Sequence, residues 1–297
     1  MAVPGLALIG CVDGDPIAAQ NFARKFSTTD FTSISTAIEL STPDVVVVAS
    51  STESHRTVVD EVLDCPNIPK VIVLEKPAAS NSEDYKHLVE TVSKSDALCL
   101  VNMTRRYSKN TFEIKKTIDS QDLGKPTRVF CTYYGGLWNN GVHLIDFLDM
   151  LFSSTLENIE ITGVVPSRFD NDPSVEFSAS VASNGAEVSV RAIDESHFQA
   201  FEVDVWFSDG RVEVFDFGQR VQVSSIETNG IGERVLSSRL AADETSTFGQ
   251  TVPLYEAIDN FLRRGEPFEF PSLEINYHDH IMGQIAEIYG MSQKWRT

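Results

Sequence analysis

Four short segments carry side chains whose types and spacing could do chemistry. In Leu8-Ile9-Gly10-Cys11-Val12-Asp13-Gly14-Asp15-Pro16 an acidic residue follows an apolar run. A carboxylate ending a strand of a dinucleotide fold accepts the adenosine ribose hydroxyls and repels a 2′-phosphate. Asp13 has that place, although Asp13 and Asp15 could equally cap and turn the chain. Ser50-Ser51-Thr52-Glu53-Ser54-His55 follows a run of four valines. A turn at the carboxyl end of a parallel strand is where α/β sheets bind ligands, and its hydroxyls and the next helix N-terminus could hold a ribose or phosphate. The competing reading is a capping turn with Thr52 or Ser54 as N-cap. In Val73-Leu74-Glu75-Lys76-Pro77 a partly desolvated lysine beside a glutamate could orient a substrate hydroxyl or relay its proton. The proline fixes the turn, and a cis Lys76-Pro77 bond suits it. Finally, Gly135-Gly136-Leu137-Trp138-Asn139-Asn140-Gly141-Val142-His143-Leu144-Ile145-Asp146 enters a helix from a glycine-rich loop. It sets His143 and Asp146 three apart on one face. An imidazole is the usual base for a sugar hydroxyl, while a lone histidine on such a helix is often a satisfied core residue.

These segments need elements to hold them. Leu6 to Val12 reads as a strand, and Pro16 to Phe26 as a helix with Asp15 as N-cap and Pro16 at its first position. Ser33 to Leu40 and His55 to Leu63 read as helices, and Val45 to Val48 as a parallel strand buried on both faces. A strand at Lys70 to Leu74, a helix at Ser82 to Lys94 and a strand at Leu98 to Asn102 complete an alternation that argues for a parallel sheet with right-handed crossovers. Beyond it, a helix near Lys109 to Ser120 and one near Asn140 to Leu151 flank a strand ending at Tyr134. Glu157 to Ser224 then alternates with period two, and Asp209-Gly210 marks a hairpin. Ile226 to Phe248 reads as a long polar loop, a surface segment or oligomer arm. Helices at Val252 to Arg263 and Leu273 to Gln293 close the chain. The expected architecture is α/β plus α+β: an incomplete Rossmann-like parallel sheet domain over 1–103, then an open, mostly antiparallel sheet domain over 104–297.

Composition narrows the partners. The net charge of -19, from 43 acidic against 24 basic side chains, repels phosphate backbones and anionic lipid, disfavouring nucleic acid and membrane partners. The N-terminus lacks the basic and apolar regions of a signal peptide. Cys11, Cys65, Cys99 and Cys131 are scattered without a CxxC spacing, as reduced cytoplasmic thiols are. The run Tyr277-His278-Asp279-His280 suggests a metal only superficially, because histidines two apart on a helix diverge; no metal is expected.

The order of an acidic strand end, Ser50 to His55, Glu75-Lys76-Pro77, Thr104-Arg105-Arg106-Tyr107 and Asn140 to Asp146 resembles the Gfo/Idh/MocA oxidoreductase family, with its TPxxxH-like turn, EKP motif and DxGxHxxD-like helix. The helix around Tyr255 to Phe261 is similar as well, so the resemblance spans essentially the whole chain. It implies a nicotinamide-dependent enzyme acting on a sugar, cyclitol or nucleotide-sugar, assembled as a homo-oligomer through the C-terminal sheet. Carried over, it makes Lys76 the substrate-orienting lysine, His143 the acid/base and Asp13 the ribose ligand for NAD. Ser50, Ser51, His55, Glu75 and Pro77 become the nicotinamide-side wall. Arg105, Arg106, Tyr107, Trp138, Asn139, Asn140 and Asp146 become candidate substrate contacts. Two departures qualify this. The family opens with a strand and a GxGxxG-like turn ahead of the acidic strand, which this sequence does not contain, leaving a strand edge uncovered. Asn139 stands where many members carry aspartate, and a carboxamide cannot take a proton. Both leave open a non-catalytic member that keeps the fold for carbohydrate binding or assembly.

Overall fold

The computed structural model describes residues 3–243, 251–267 and 275–295. The chain divides into two compact units, Met1–Asn102 with Leu254–Asp279, and Met103–Pro253 with His280–Thr297.

In the first unit β1 (Gly10–Cys11) leads to α1 (Pro16–Phe26), where Asp15 caps by accepting from Ile17 N at 2.9 Å. A two-residue strand absent from the sequence reading, β2 (Thr29–Asp30), pairs parallel with β1. Two residues cannot show a periodicity, so nothing in the pattern could reveal it. The expected strand from Leu6 is correspondingly shorter. Next come α2 (Ile34–Ser41), capped by Ser33, β3 (Val45–Val48), α3 (His55–Leu63), β4 (Val71–Leu74), α4 (Ser82–Val92), capped by Asn81, and β5 (Leu98–Val101). Strands β3, β4 and β5 form a parallel sheet in register, with Val48 opposite Leu74 and Leu74 opposite Val101. β4, paired on both sides, is wholly buried. β3 pairs with β4 alone among the described residues, and Val47 is 44% exposed. The valine run is therefore not buried on both faces as expected, because β-branched residues suit a sheet edge as well as its centre.

The second unit is built on an eight-stranded sheet. Its elements are α5 (Lys109–Asp119), β6 (Pro126–Tyr134), α6 (Val142–Phe152), β7 (Leu156–Val165), β8 (Ser174–Val181), β9 (Glu187–Ile193), β10 (Glu202–Phe207), β11 (Gly210–Phe215), β12 (Arg220–Thr228) and β13 (Arg234–Asp243). The order is β13-β12-β11-β10-β6-β9-β8-β7, antiparallel except for the β6/β9 pair. The segment read as a polar loop from Ile226 is instead the end of β12 and all of β13 as far as the described residues run. Serines, charges and exposed apolar side chains line this hairpin, and a ribbon solvated on both faces needs no apolar alternation. After α7 (Val252–Arg264), a 3₁₀ turn at Ile275–His278 opens α8 (Asp279–Trp295). The helix expected from Leu273 begins outside the described residues. No described helix is long and apolar enough to cross a membrane.

Candidate functional site

The first unit lines up its candidates at the carboxyl ends of adjacent strands. After β3, Ser54 Oγ donates to Ser50 Oγ at 2.8 Å and to Ser51 O at 2.7 Å, knitting the turn that opens α3. Neither Thr52 nor Ser54 caps through its side chain. His55 is buried, with Nδ1 3.2 Å from Ala78 O and Nε2 3.2 Å from Ser50 O. It ties the turn after β3 to the segment after β4 and presents no ring nitrogen outward. After β4, Glu75 and Lys76 are half-buried, Pro77 is buried, and the Lys76-Pro77 bond is cis. After β5 comes Asn102, which sequence reading passed over. Its Nδ2 donates to Glu75 Oε1 at 2.6 Å, and its Oδ1 is enclosed without a partner among the described residues. A polar residue ending the third strand of a parallel sheet was the signal available for it. Tyr255, on α7, lies near enough that burial and then the Glu75 carboxylate raise its phenol above the ordinary 10. Asp13, after β1, is exposed and accepts Asp15 N at 2.8 Å.

The second unit positions His143 from the start of α6. Gly135 and Gly136 have φ of +73° and +89°, where a side chain is strained. At Gly136 a Cβ would also collide with the Asp172 carboxylate. The π turn Leu137–Gly141 follows, and the Asp172 carboxylate accepts Trp138 N at 2.8 Å and Asn139 N at 2.9 Å. Asp172, a loop residue far along the chain, therefore starts the helix; no local spacing could have disclosed it. His143 is 7% exposed. Trp138 meets Tyr289 edge to face at 6.1 Å, and Asn140 packs beside Gly135. Tyr107 is buried, which pushes its phenol up.

Arg106 and Asp146, taken from sequence as substrate contacts, are turned toward one another. Arg106 Nε donates to Asp146 Oδ1 at 2.8 Å and Nη2 to Asp149 Oδ2 at 3.1 Å, with Arg106 3% and Asp146 1% exposed. His280 extends the network, its Nε2 2.9 Å from Asp149 Oδ1. That hydrogen bond holds the imidazole above its ordinary 6.5. A histidine raised in the fold contributes stability that is complete below its unfolded value and is lost as pH rises through the folded value. From about pH 6 to about pH 8 the intact protein should therefore lose more stability than His280→Ala. Equal losses in urea melts of the two would refute this. Among the described residues no cluster of histidine, cysteine and carboxylate side chains could hold a metal ion.

Residues 1–103 match the family model described as oxidoreductase family, NAD-binding Rossmann fold. Over that third of its length the chain matches the Gfo/Idh/MocA family. Among similar proteins, the scyllo-inositol 2-dehydrogenase (NAD(+)) of Bacillus subtilis is 30% identical over 139 residues, 46% of this chain and 37% of that one. The myo-inositol 2-dehydrogenase of Thermotoga maritima is 30% identical over 83 residues, 28% of this chain and 24% of that one. The chain thus spans well under two thirds of these relatives. Among solved structures, the WlbA dehydrogenase of Bordetella pertussis, in complex with NADH and UDP-GlcNAcA, superposes with a TM-score of 0.78 at 19% identity, covering 99% of this chain and 91% of that one. At that identity the likeness speaks to the fold alone, which is a Rossmann-like parallel sheet followed by a large, mostly antiparallel one.

Proposed function

We propose that this protein is an NAD(H)-dependent oxidoreductase acting on a carbon–hydroxyl group of a sugar, cyclitol or nucleotide-sugar in the cytoplasm. The observation that carries the reading is the carboxyl edge of β3, β4 and β5, where the Ser50–His55 turn, Glu75-Lys76-Pro77 and Asn102 stand side by side in register. This edge fits the cofactor's chemistry. The unpartnered Asn102 Oδ1 is an acceptor suited to a carboxamide or ribose donor, and Ser50 and Ser51 add hydroxyls. Asp13 takes the adenosine ribose diol, and its charge excludes a 2′-phosphate. The bound nicotinamide supplies the hydride acceptor or donor. Lys76 orients the substrate hydroxyl, next in the chain to the Glu75 that Asn102 clamps. His143 takes the hydroxyl proton or returns it. Asn139, Asn140 and Trp138 contact the substrate, while Arg106 and Asp146 brace the helix that carries His143. A homo-oligomer forms through the open face of the second unit's sheet, where Phe130 and Trp206, 39% and 42% exposed, meet at 5.2 Å.

A second reading, a member that binds carbohydrate or assembles without the cofactor, is favoured by one observation. The opening turn of α1 carries the carboxylates of Asp13 and Asp15, which repel a diphosphate there. Calorimetric titration with NADH and NADPH separates the two. The enzyme reading expects micromolar NADH binding, weaker NADPH binding, and a loss of about tenfold in Asp13→Ala. No NADH binding at millimolar concentration would leave only the second reading.

A further inference from the structure

Arg105 is held unlike its neighbours. It lies in the 3₁₀ turn Thr104–Tyr107, with its guanidinium carbon 4.0 Å from the centre of the Phe201 ring. Its Nε is enclosed and has no hydrogen-bond partner among the described residues. Every other described arginine that is not fully exposed holds a carboxylate: Arg56 on Asp84, Arg106 on Asp146 and Asp149, Arg211 on Asp204 and Glu213. In a chain with 43 acidic side chains, a carboxylate would have been easy to supply. Desolvating a cation without one is costly, and burial pushes this guanidinium's pKa down to about 10, with Tyr134 and Asp146 acting the other way. It remains charged at neutral pH.

The side chains around Arg105 are largely aromatic. Stacking on Phe201 uses the face of the guanidinium and leaves its edge of N–H donors, the fork that matches a planar oxyanion. Phe201 is buried and packs edge-on against Phe147 at 6.2 Å. Phe147 is four residues after His143 on α6, hence on the same helix face. Tyr134, ending β6, meets Phe217 at 6.0 Å. Asp216 and Phe217 have φ of +51° and +60°, a conformation that residues other than glycine adopt only when the surrounding structure imposes it.

We infer that Arg105, whose stacking partner Phe201 packs against Phe147 one helical turn along α6 from His143, is an anion-binding residue that receives the carboxylate or phosphoryl oxygens of an acidic sugar. This names the substrate class of the oxidoreductase site and rests on that reading only for the word substrate. The full chain is titrated at low salt with glucose, myo-inositol, glucuronate and glucose 6-phosphate. At least one acidic probe should bind about tenfold more tightly than glucose, and which one does distinguishes carboxylate from phosphoryl. In Arg105→Met the preference should fall below about twofold, with Arg105→Lys between. The thermal midpoint of Arg105→Met should stay level or rise, since an unpaired cation is replaced by an apolar side chain; a merely structural arginine would lower it. Equal or undetectable binding of all four probes by the unmodified protein overturns the inference, as does a preference that survives in Arg105→Met. A failed NADH titration alongside Arg105-dependent glucuronate binding would sink the oxidoreductase reading and leave this one standing.

Discussion

Replacing Arg106 by methionine should lower the thermal midpoint of this protein by roughly 10 °C. The argument runs from burial. Arg106 and Asp146 are 3% and 1% exposed, and Asp149 is a second carboxylate on the same guanidinium. Burial alone would weaken the Arg106 charge, but Asp146 and then Asp149 outweigh it and hold the guanidinium pKa above its ordinary value. Taking away one partner of a buried pair costs about 3–5 kcal/mol, because the remaining charge has lost its water as well as its partner. For a domain of this size each kcal/mol moves the midpoint by about 2–4 °C. Arg106→Met with Asp146→Leu should recover much of the loss, since an apolar pair of similar volume is tolerated where a lone charge is not. Differential scanning calorimetry of the single and double variants decides the matter. A single variant within about 2 °C of the parent would mean that water reaches the carboxylates and the network is not a core element.

The largest expected effect on turnover is at His143. On the oxidoreductase reading, His143→Asn should lower kcat by about a thousandfold, within the range general acid–base catalysis supplies, while NADH affinity changes less than about twofold. Asparagine is close in size to the imidazole, so α6 should keep its packing and the loss should lie in proton transfer. Once a substrate has been found by screening, steady-state rates and an NADH titration of the same preparation test both halves. A variant keeping more than about a tenth of the activity would remove His143 from the proton path. A parallel collapse of NADH binding would mean that the histidine supports the fold around it instead.

The two units were legible in the sequence to different degrees, for physical reasons. The run from Val45 to Asn102 repeats short β-branched segments between amphipathic helices, and that grammar specifies a parallel sheet almost uniquely. A cap such as Asp15 acts within three residues of itself, so local reading finds it. Partners that meet through the fold were beyond it. Arg106 and Asp146 are forty residues apart, and both look like surface charges until a helix folds over them. Asn102 and Asp172 went unnoticed because their roles belong to a neighbouring strand end and a distant turn. The β12–β13 hairpin was mistaken for a loop because its pairing satisfies backbone groups, not apolar ones.

The Asp172 carboxylate has an evolutionary consequence. The first turn of the His143 helix hangs from an acceptor that arrives from the loop before β8. A surface loop tolerates insertion and substitution far better than a core helix does. Changes in that loop's length or composition will reach the imidazole as small rotations of the turn beneath it. On the oxidoreductase reading, lineages carrying this arrangement can shift which hydroxyl is presented to His143 while the proposed substrate contacts stay the same. Such drift would escape any comparison confined to the residues of the site.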